Sequence, residues 1–321
     1  MSRFDLITTG RVGVDLYPQQ SGVGLEEVTS FARFLGGSAT NVAVQAARLG
    51  SRSAVVTKVG DDPFGTYVRR ALTGFGVDVR WVSTDPTLRT PIVFCELHPP
   101  DDFPLLFYRE PSAPDIQLTV EDFDVGAVCE AKIFWTTGTG LSAEPSRSTV
   151  LAMLEARAAT TAPGGGRPIS IHDLDHRPTF WAEGEDPGRQ AARALAFVTV
   201  AVGNQDEVEV AVGTREPDEA AERLLELGVE IAIVKRGAEG VLARTRTERV
   251  ECEPIRLDVV NGLGAGDAFG GVLAHGLAHG IGLAQTIAAA NAAGAITASR
   301  LACADDFPTE AEISATLDQA R

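Results

Sequence analysis

The chain has 321 residues, 44% of them hydrophobic and 22% charged, the proportions of a folded globular protein. Its formal net charge of −16, with no basic stripe to offset it, excludes nucleic acid as a partner class but still allows an anionic small molecule held by a few placed cations. The apolar runs are too short for a membrane span, no leader-like segment opens the chain, and Cys95, Cys129, Cys252 and Cys303 show no metal or disulfide spacing, so a cytoplasmic protein with free thiols is expected.

Phe4 to Thr8 reads as a buried strand ended by Gly10. Asp15 then falls just beyond the strand's carboxyl end, where open α/β sheets bind ligands; taken alone it would be a turn or capping acid. Residues 17–35 carry short alternating runs, the mark of a small β-lid. Gly36 and Gly37 open an alanine-rich helix that Gly50 ends, with Asn41 one turn in, and the two glycines let a ligand approach the backbone. Ala54–Thr57 is a strand followed by Lys58, and Asp61 and Asp62 before Pro63 suit a helix start better than a metal.

Val77–Val82, Ile92–Leu97 and Pro104–Arg109 alternate and read as antiparallel strands completing the lid, whose extent is about 12–35 and 91–110. From residue 131 strands and helices alternate. Strands are predicted at Ile133–Thr136, Ile169–Asp173, Phe197–Ala201 and Ile231–Lys235, with a loop at 163–168. Helices are predicted at Glu144–Ala158, Arg189–Leu195, Asp218–Leu227, 266–279 and 283–299, with a last one from Thr309. Such alternation predicts a parallel sheet with right-handed crossovers. One α/β domain over 1–321 is expected, a central mostly parallel sheet plus a small β-sheet lid.

The stretch Val259–Gly276 carries the chemistry. Gly264, Ala265 and Gly266 would present free backbone N–H groups at the positive end of a helix, an anion site. Asp267 behind them is either an ordinary helix-end carboxylate, worth ~1 kcal/mol, or a base that takes a proton from an attacking hydroxyl while the amides hold a transferring phosphoryl group. No Lys-Ser or Lys-Thr follows the last glycine, so this is not a Walker loop, and the glycine spacing does not fit a dinucleotide fingerprint.

Three stretches in order, Gly36-Gly37 with Asn41, Asn204-Gln-Asp-Glu207 and Gly264-Ala-Gly-Asp267, resemble the ribokinase-like (PfkB) carbohydrate kinases over nearly the whole chain. The resemblance implies a three-layer α/β/α fold and ATP with Mg²⁺ as cosubstrate. It makes Asp267 the catalytic base and the amides of Gly264, Ala265 and Gly266 the anion hole. It also implies that Asp15, Gly36, Gly37 and Asn41 hold the sugar hydroxyls with Lys58 close by. Asn204 and Glu207 would order the water shell of Mg²⁺, with no direct metal ligand. Lys235, Gly237 and Gly240 would border the nucleotide, and Asn291 the adenine. Where the family commonly has Asp-Thr before this loop, the chain has Asn261-Gly262-Leu263, which leaves dependence on a monovalent cation (K⁺) open.

Arg109, on or beside the lid, and Arg177, after a core strand, reach the same ligand-binding edge by sequence position. Either alone would be a surface salt bridge worth at most ~1 kcal/mol. Together they suit bidentate capture of a carboxylate, hence a sugar acid. Asp173-Leu-Asp-His-Arg-Pro178 resembles the sugar-acid branch of the family, most of all the kinases of 5-dehydro-2-deoxygluconate in inositol catabolism, with those of 2-dehydro-3-deoxygluconate as neighbours. The resemblance implies phosphorylation of the 6-hydroxyl. A ribo- or fructokinase, and a sugar-acid-binding regulator without catalysis, are the alternatives. A homodimer paired through the lid is the assembly such edges suggest.

Overall fold

The computed structural model describes residues 4–162 and 165–320, so the first two positions of the loop expected at 163–168 lie outside the described residues. The chain begins with β1 (Leu6–Thr9), leaves for β2 (Gly13–Pro18) and β3 (Phe31–Gly36), and returns through α1 (Ser38–Arg48) to β4 (Ser53–Gly60), α2 (Pro63–Gly74) and β5 (Val82–Asp85). It leaves again for β6 (Ile92–Cys95) and β7 (Leu105–Tyr108), and α3 (Val125–Glu130) follows. Then come β8 (Ile133–Thr137), α4 (Ser146–Ala158), β9 (Ile169–Asp173), α5 (Pro187–Leu195), β10 (Val200–Asn204), α6 (Gln205–Val212), α7 (Pro217–Glu226) and β11 (Ile231–Lys235). The hairpin β12 (Val241–Arg244) and β13 (Arg249–Cys252) precedes α8 (Ala265–Ala278), α9 (Leu283–Ala298) and α10 (Glu310–Gln319).

Among the described residues these strands form two sheets. The larger has nine strands in the order β13-β12-β11-β10-β9-β8-β1-β4-β5; it is parallel from β11 through β5, and the terminal hairpin is antiparallel. The smaller has four strands in the order β3-β2-β6-β7, antiparallel in its two outer pairs but parallel between β2 and β6, where an antiparallel strand was expected. The chain grows from β1 toward β5 on one side and from β8 toward β11 on the other. The strand order therefore reverses between β1 and β8, where open α/β sheets leave a crevice at the strands' carboxyl ends.

Both faces of the large sheet are covered, so its strands read as unbroken apolar runs. Alternation sends Leu6, Trp135, Val202 and Ile233 toward Val42 of α1, Leu273 of α8 and Ile287 of α9. Ile7, Phe134, Ala201 and Val234 go the other way, toward Leu154 of α4, Leu195 of α5 and Leu224 of α7. Trp135 is fully buried, and truncating such a side chain to Ala typically costs ~3–5 kcal/mol. Helix starts follow local chemistry: the Asp62 side chain accepts from Gly65 N before Pro63, and Thr309 with Glu312 makes a capping box for α10.

Three further sequence expectations are corrected here. Val77–Val82 does not join the small sheet; Asp78 bridges Ala54, and β5 pairs parallel with β4 at the edge of the large sheet. Alternation marks a half-buried strand but cannot say which sheet it joins. The strand expected at Phe197–Ala201 lies three residues later, at Val200–Asn204. The hairpin β12–β13 and the helix α6 were not foreseen, because their apolar periods are too short to stand out.

Candidate active site

A cavity of about 410 Å³ opens at the carboxyl ends of β1, β9, β10 and β11. The ends of these strands deliver Arg11, Asp173, Asp175, Asn204 and Lys235 to its wall. The small sheet faces it with Asp15 and Tyr17 of β2, Val93 of β6, and Leu105 and Phe107 of β7. The N-terminus of α8 closes the remaining side with Gly264, Ala265, Gly266 and Asp267.

At Gly264 the backbone has φ +79°, a left-handed residue that turns the loop into α8, and a Cβ there would stand 2.4 Å from Cys303 Sγ. Only glycine fits that turn, and the turn brings the first amides of α8 to the cavity at the helix's positive end. Asp267 lies in the first turn of α8 and accepts from Asn41 Nδ2 at 2.8 Å. Burial raises its carboxyl to about 6, with the Asn41 hydrogen bond, Arg11 and Lys235 opposing and Asp175 reinforcing. The Asn41 Oδ1 atom is buried without a hydrogen-bond partner, an acceptor a sugar hydroxyl would satisfy. Asn41 reaches this place because Gly37, with φ +103°, packs against the Arg11 carbonyl, 2.3 Å from where a Cβ would sit.

Asp15 is the second acid of the cavity. Burial raises its carboxyl to about 7 against the opposing pull of Arg11 and of the Tyr17 hydroxyl, which donates to Oδ2 at 3.3 Å. Tyr17 Oη also lies 2.9 Å from Cys303 Sγ. A side chain at Gly36 would collide with Asp15 Oδ1 at 2.0 Å, so this glycine leaves room for the acid.

Three cations face these acids. Arg11 Nη2 lies 3.1 Å and Arg177 Nη2 3.3 Å from the Asp175 carboxylate. Lys235 Nζ is 4.0 Å from Asp173 Oδ1 and 3.3 Å from the place a Cβ on Gly266 would take. Burial works against the Lys235 ammonium, but Asp173, Glu207 and Asp267 outweigh it and hold the group protonated. For Asp175 burial is likewise overcome, here by Arg11 and Arg177, and its carboxyl stays below the usual range; burial carries Asp173 the other way.

Asn204 and Glu207 close the loop before α6 as a capping box, with Asn204 Oδ1 accepting from Glu207 N at 2.9 Å and Glu207 Oε2 from Asn204 N at 2.7 Å. Glu207 Oε1 remains toward the cavity, 4.0 Å from Arg177 Nη1. Gly237 also lines the cavity.

Four expected site residues are spent elsewhere. Lys58 Nζ pairs with Asp122 at 2.8 Å and donates to Gln117 O at 2.8 Å. Arg109 is committed to the buried Asp115 and stacks on Phe180 at 5.0 Å. Gly240, at φ +85°, packs against the Cys252 carbonyl, and Asn291 Nδ2 donates to Glu253 O at 2.8 Å. None of the four lines the cavity. The lining instead includes Arg11, Tyr17, Ser38, Asp173, Asp175 and Cys303, which were not singled out as site residues from sequence. Arg11 follows the end of β1 by the same logic that marked Asp15, and Asp173 and Asp175 stand in the motif that supplied Arg177. Cys303 offers no local signal, since it arrives through the long connection after α9.

The pfkB family carbohydrate kinase model matches residues 4–310. A 5-dehydro-2-deoxygluconokinase from Photobacterium profundum is 32% identical over 314 residues, covering 95% of this chain and 92% of the relative. One from Geobacillus kaustophilus is 30% identical, covering 99% of this chain and 94% of the relative. The crystal structure of a candidate Ribokinase II from E. coli in complex with ATP and Mg²⁺ superimposes with a TM-score of 0.86 at 22% identity, covering 99% of this chain and 100% of that one. That superposition extends the match to the fold, both sheets included. From end to end, then, the chain belongs to the pfkB family of carbohydrate kinases.

Proposed function

We propose that this kinase transfers the γ-phosphoryl group of ATP to the 6-hydroxyl of the sugar acid 5-dehydro-2-deoxy-D-gluconate. The observation that carries the reaction is Asp267, an acid raised to about 6, at the mouth of the α8 amides and oriented by Asn41. It takes the proton of the attacking hydroxyl, while the amides of Gly264, Ala265 and Gly266 and the Lys235 ammonium receive the phosphoryl charge. Asp15, Gly37 and the open Oδ1 of Asn41 bind sugar hydroxyls. Phosphoryl transfer asks for positioning and exclusion of water, and the small sheet over the cavity serves as the lid.

The choice of a sugar acid is supported by two guanidinium groups in the wall, and by the names of the relatives. Arg11 takes the part first expected of Arg109. Mg²⁺ would be held in the site chiefly by the phosphates and water, the mode usual for this ion beside nucleotides. Asn204 and the free Oε1 of Glu207 would hold its water shell, and the bound ion would neutralise charge on the phosphates. Asn261 is buried with both side-chain groups engaged, Nδ2 donating to Leu301 O at 2.7 Å and Oδ1 accepting from Leu263 N at 3.0 Å.

The test is ADP release with 5-dehydro-2-deoxygluconate, 2-dehydro-3-deoxygluconate, fructose and ribose. The highest kcat/KM is expected for the first, and a site built for a carboxylate should reject the neutral sugars strongly. Equal kcat/KM for fructose would sink the reading. The same reading pairs two copies through the edges of the small sheet, where Leu106 and Tyr108 of β7 are exposed, and light scattering at the mass of one chain would refute that pairing.

A further inference from the structure

The Asp175 carboxylate is 3% exposed and gathers four side chains around it. Its Oδ2 accepts from Arg11 Nη2 at 3.1 Å, Ser38 Oγ at 2.9 Å and Thr139 Oγ1 at 2.9 Å. Its Oδ1 accepts from Arg11 Nη2 at 3.3 Å and lies 3.3 Å from Arg177 Nη2. The residue adopts φ +26°, the one positive φ outside glycine among the described residues. Such backbone costs free energy and persists where the surroundings enforce it, most often at functional sites.

Two guanidinium groups share this one carboxylate, so it cannot satisfy all the donors of both. Both arginines line the cavity, and Arg177 Nε is buried without a hydrogen-bond partner. A buried N–H of a cation left unpaired is costly unless an acceptor arrives, and an anionic acceptor suits it best.

Building on the sugar-acid reading above, we infer that Asp175 sets the substrate class: it is a positioning residue that holds Arg11 and Arg177 with unspent donors toward a substrate carboxylate. Those donors gain an acceptor when that carboxylate binds. A neutral sugar offers them no charged acceptor, which weakens the complex. Arg11 has little freedom, since Nε donates to Thr139 Oγ1 at 3.1 Å and Nη2 to Ser38 Oγ at 3.3 Å. Arg177 has an alternative, because Nη1 is 4.0 Å from Glu207 Oε1. Asp175 thus decides whether Arg177 serves the substrate or turns to Glu207.

Asp175→Asn tests this, because Asn tolerates the left-handed backbone as readily as Asp and keeps the side-chain shape while removing the charge. The KM for 5-dehydro-2-deoxygluconate should rise roughly ten-fold or more, with the KM for ATP within about two-fold of the parent, the split that a lost carboxylate contact implies. The preference in kcat/KM for the acid over fructose should fall by a similar factor. Calorimetric titration with the acid in the absence of ATP should read the same loss without turnover. Unchanged or tighter acid binding, or equal changes in both KM values, would overturn the inference. Arg177→Lys gives a second route that leaves the Asp175 loop intact: a point charge cannot fork between Asp175 and a substrate carboxylate, so the acid KM should again rise alone. An unaltered acid KM there would also overturn it. Absence of ADP release from the parent protein with every sugar acid would instead overturn the sugar-acid reading itself.

Discussion

Asp267 and Asn41 form a pair whose chemistry can be read in a pH profile. In the proposed reaction Asp267 must be ionised to accept a proton, and its carboxyl is raised to about 6, so kcat/KM should fall as pH drops through that value. Asp15, raised to about 7, would titrate nearby, and Asn41→Ala separates the two. The Asn41 hydrogen bond holds the Asp267 carboxyl down, so its loss should move the acid limb to higher pH. A limb that stays in place would assign the titration elsewhere. Asp267→Asn should keep ATP binding by calorimetry and lose turnover by about 10²–10⁴-fold. Unchanged turnover would remove Asp267 from the mechanism. Arg177→Ala should raise the KM of the acid more than that of ATP, and an equal effect on both would mark a plain salt bridge. Among these residues the sequence made Asp267, Asn41, Asp15 and Arg177 legible, because each stands in a short motif or directly after a strand. It misled at Arg109 and Lys58, since a cation near the right edge can still be claimed by an acid from a distant segment, here Asp115 and Asp122.

At the scale of elements, the turn into α8 is the piece with least tolerance. Gly264→Ala would force a side chain into φ +79° and into Cys303 Sγ at 2.4 Å. The strain should cost roughly 1–3 kcal/mol and displace the amides, so both Tm and turnover should drop. Gly266→Ala meets only the mobile end of Lys235 at 3.3 Å, and should leave Tm nearly unchanged. Equal losses of Tm in the two variants would contradict the account of the turn. This loop, α1 and the strands of the large sheet were readable because glycine punctuation and unbroken apolar runs are local signals. The hairpin β12–β13 and the parallel pairing of β5 were not, because strand partners are chosen by tertiary packing that no local period records.

Across the whole molecule, the site trades stability for chemistry. A carboxyl raised above its unfolded value contributes stability at low pH that is lost as pH rises through its folded value. Asp267 at about 6 and Asp15 at about 7 therefore weaken the ligand-free fold progressively as pH rises from about 4 to about 7, and fully above that. Asp267→Asn, neutral throughout, should raise Tm at pH 8 by roughly 2–4 °C and much less at pH 4. A lower Tm at both values would show that the acid is a structural contact.

The segment after β9 has one more property. Trp181 lies four residues past Arg177, with its ring 6.2 Å from that of His176 and the Arg147 guanidinium 5.9 Å from its face. Of the other two tryptophans, Trp135 is fully buried in β8 and Trp81 is half-buried against Phe4 at 5.4 Å. A reorganisation around Arg177 that moves its neighbour His176 should alter the surroundings of this indole. Titrating a sugar acid should then change the tryptophan fluorescence, and Trp181→Phe should abolish that change while leaving binding intact.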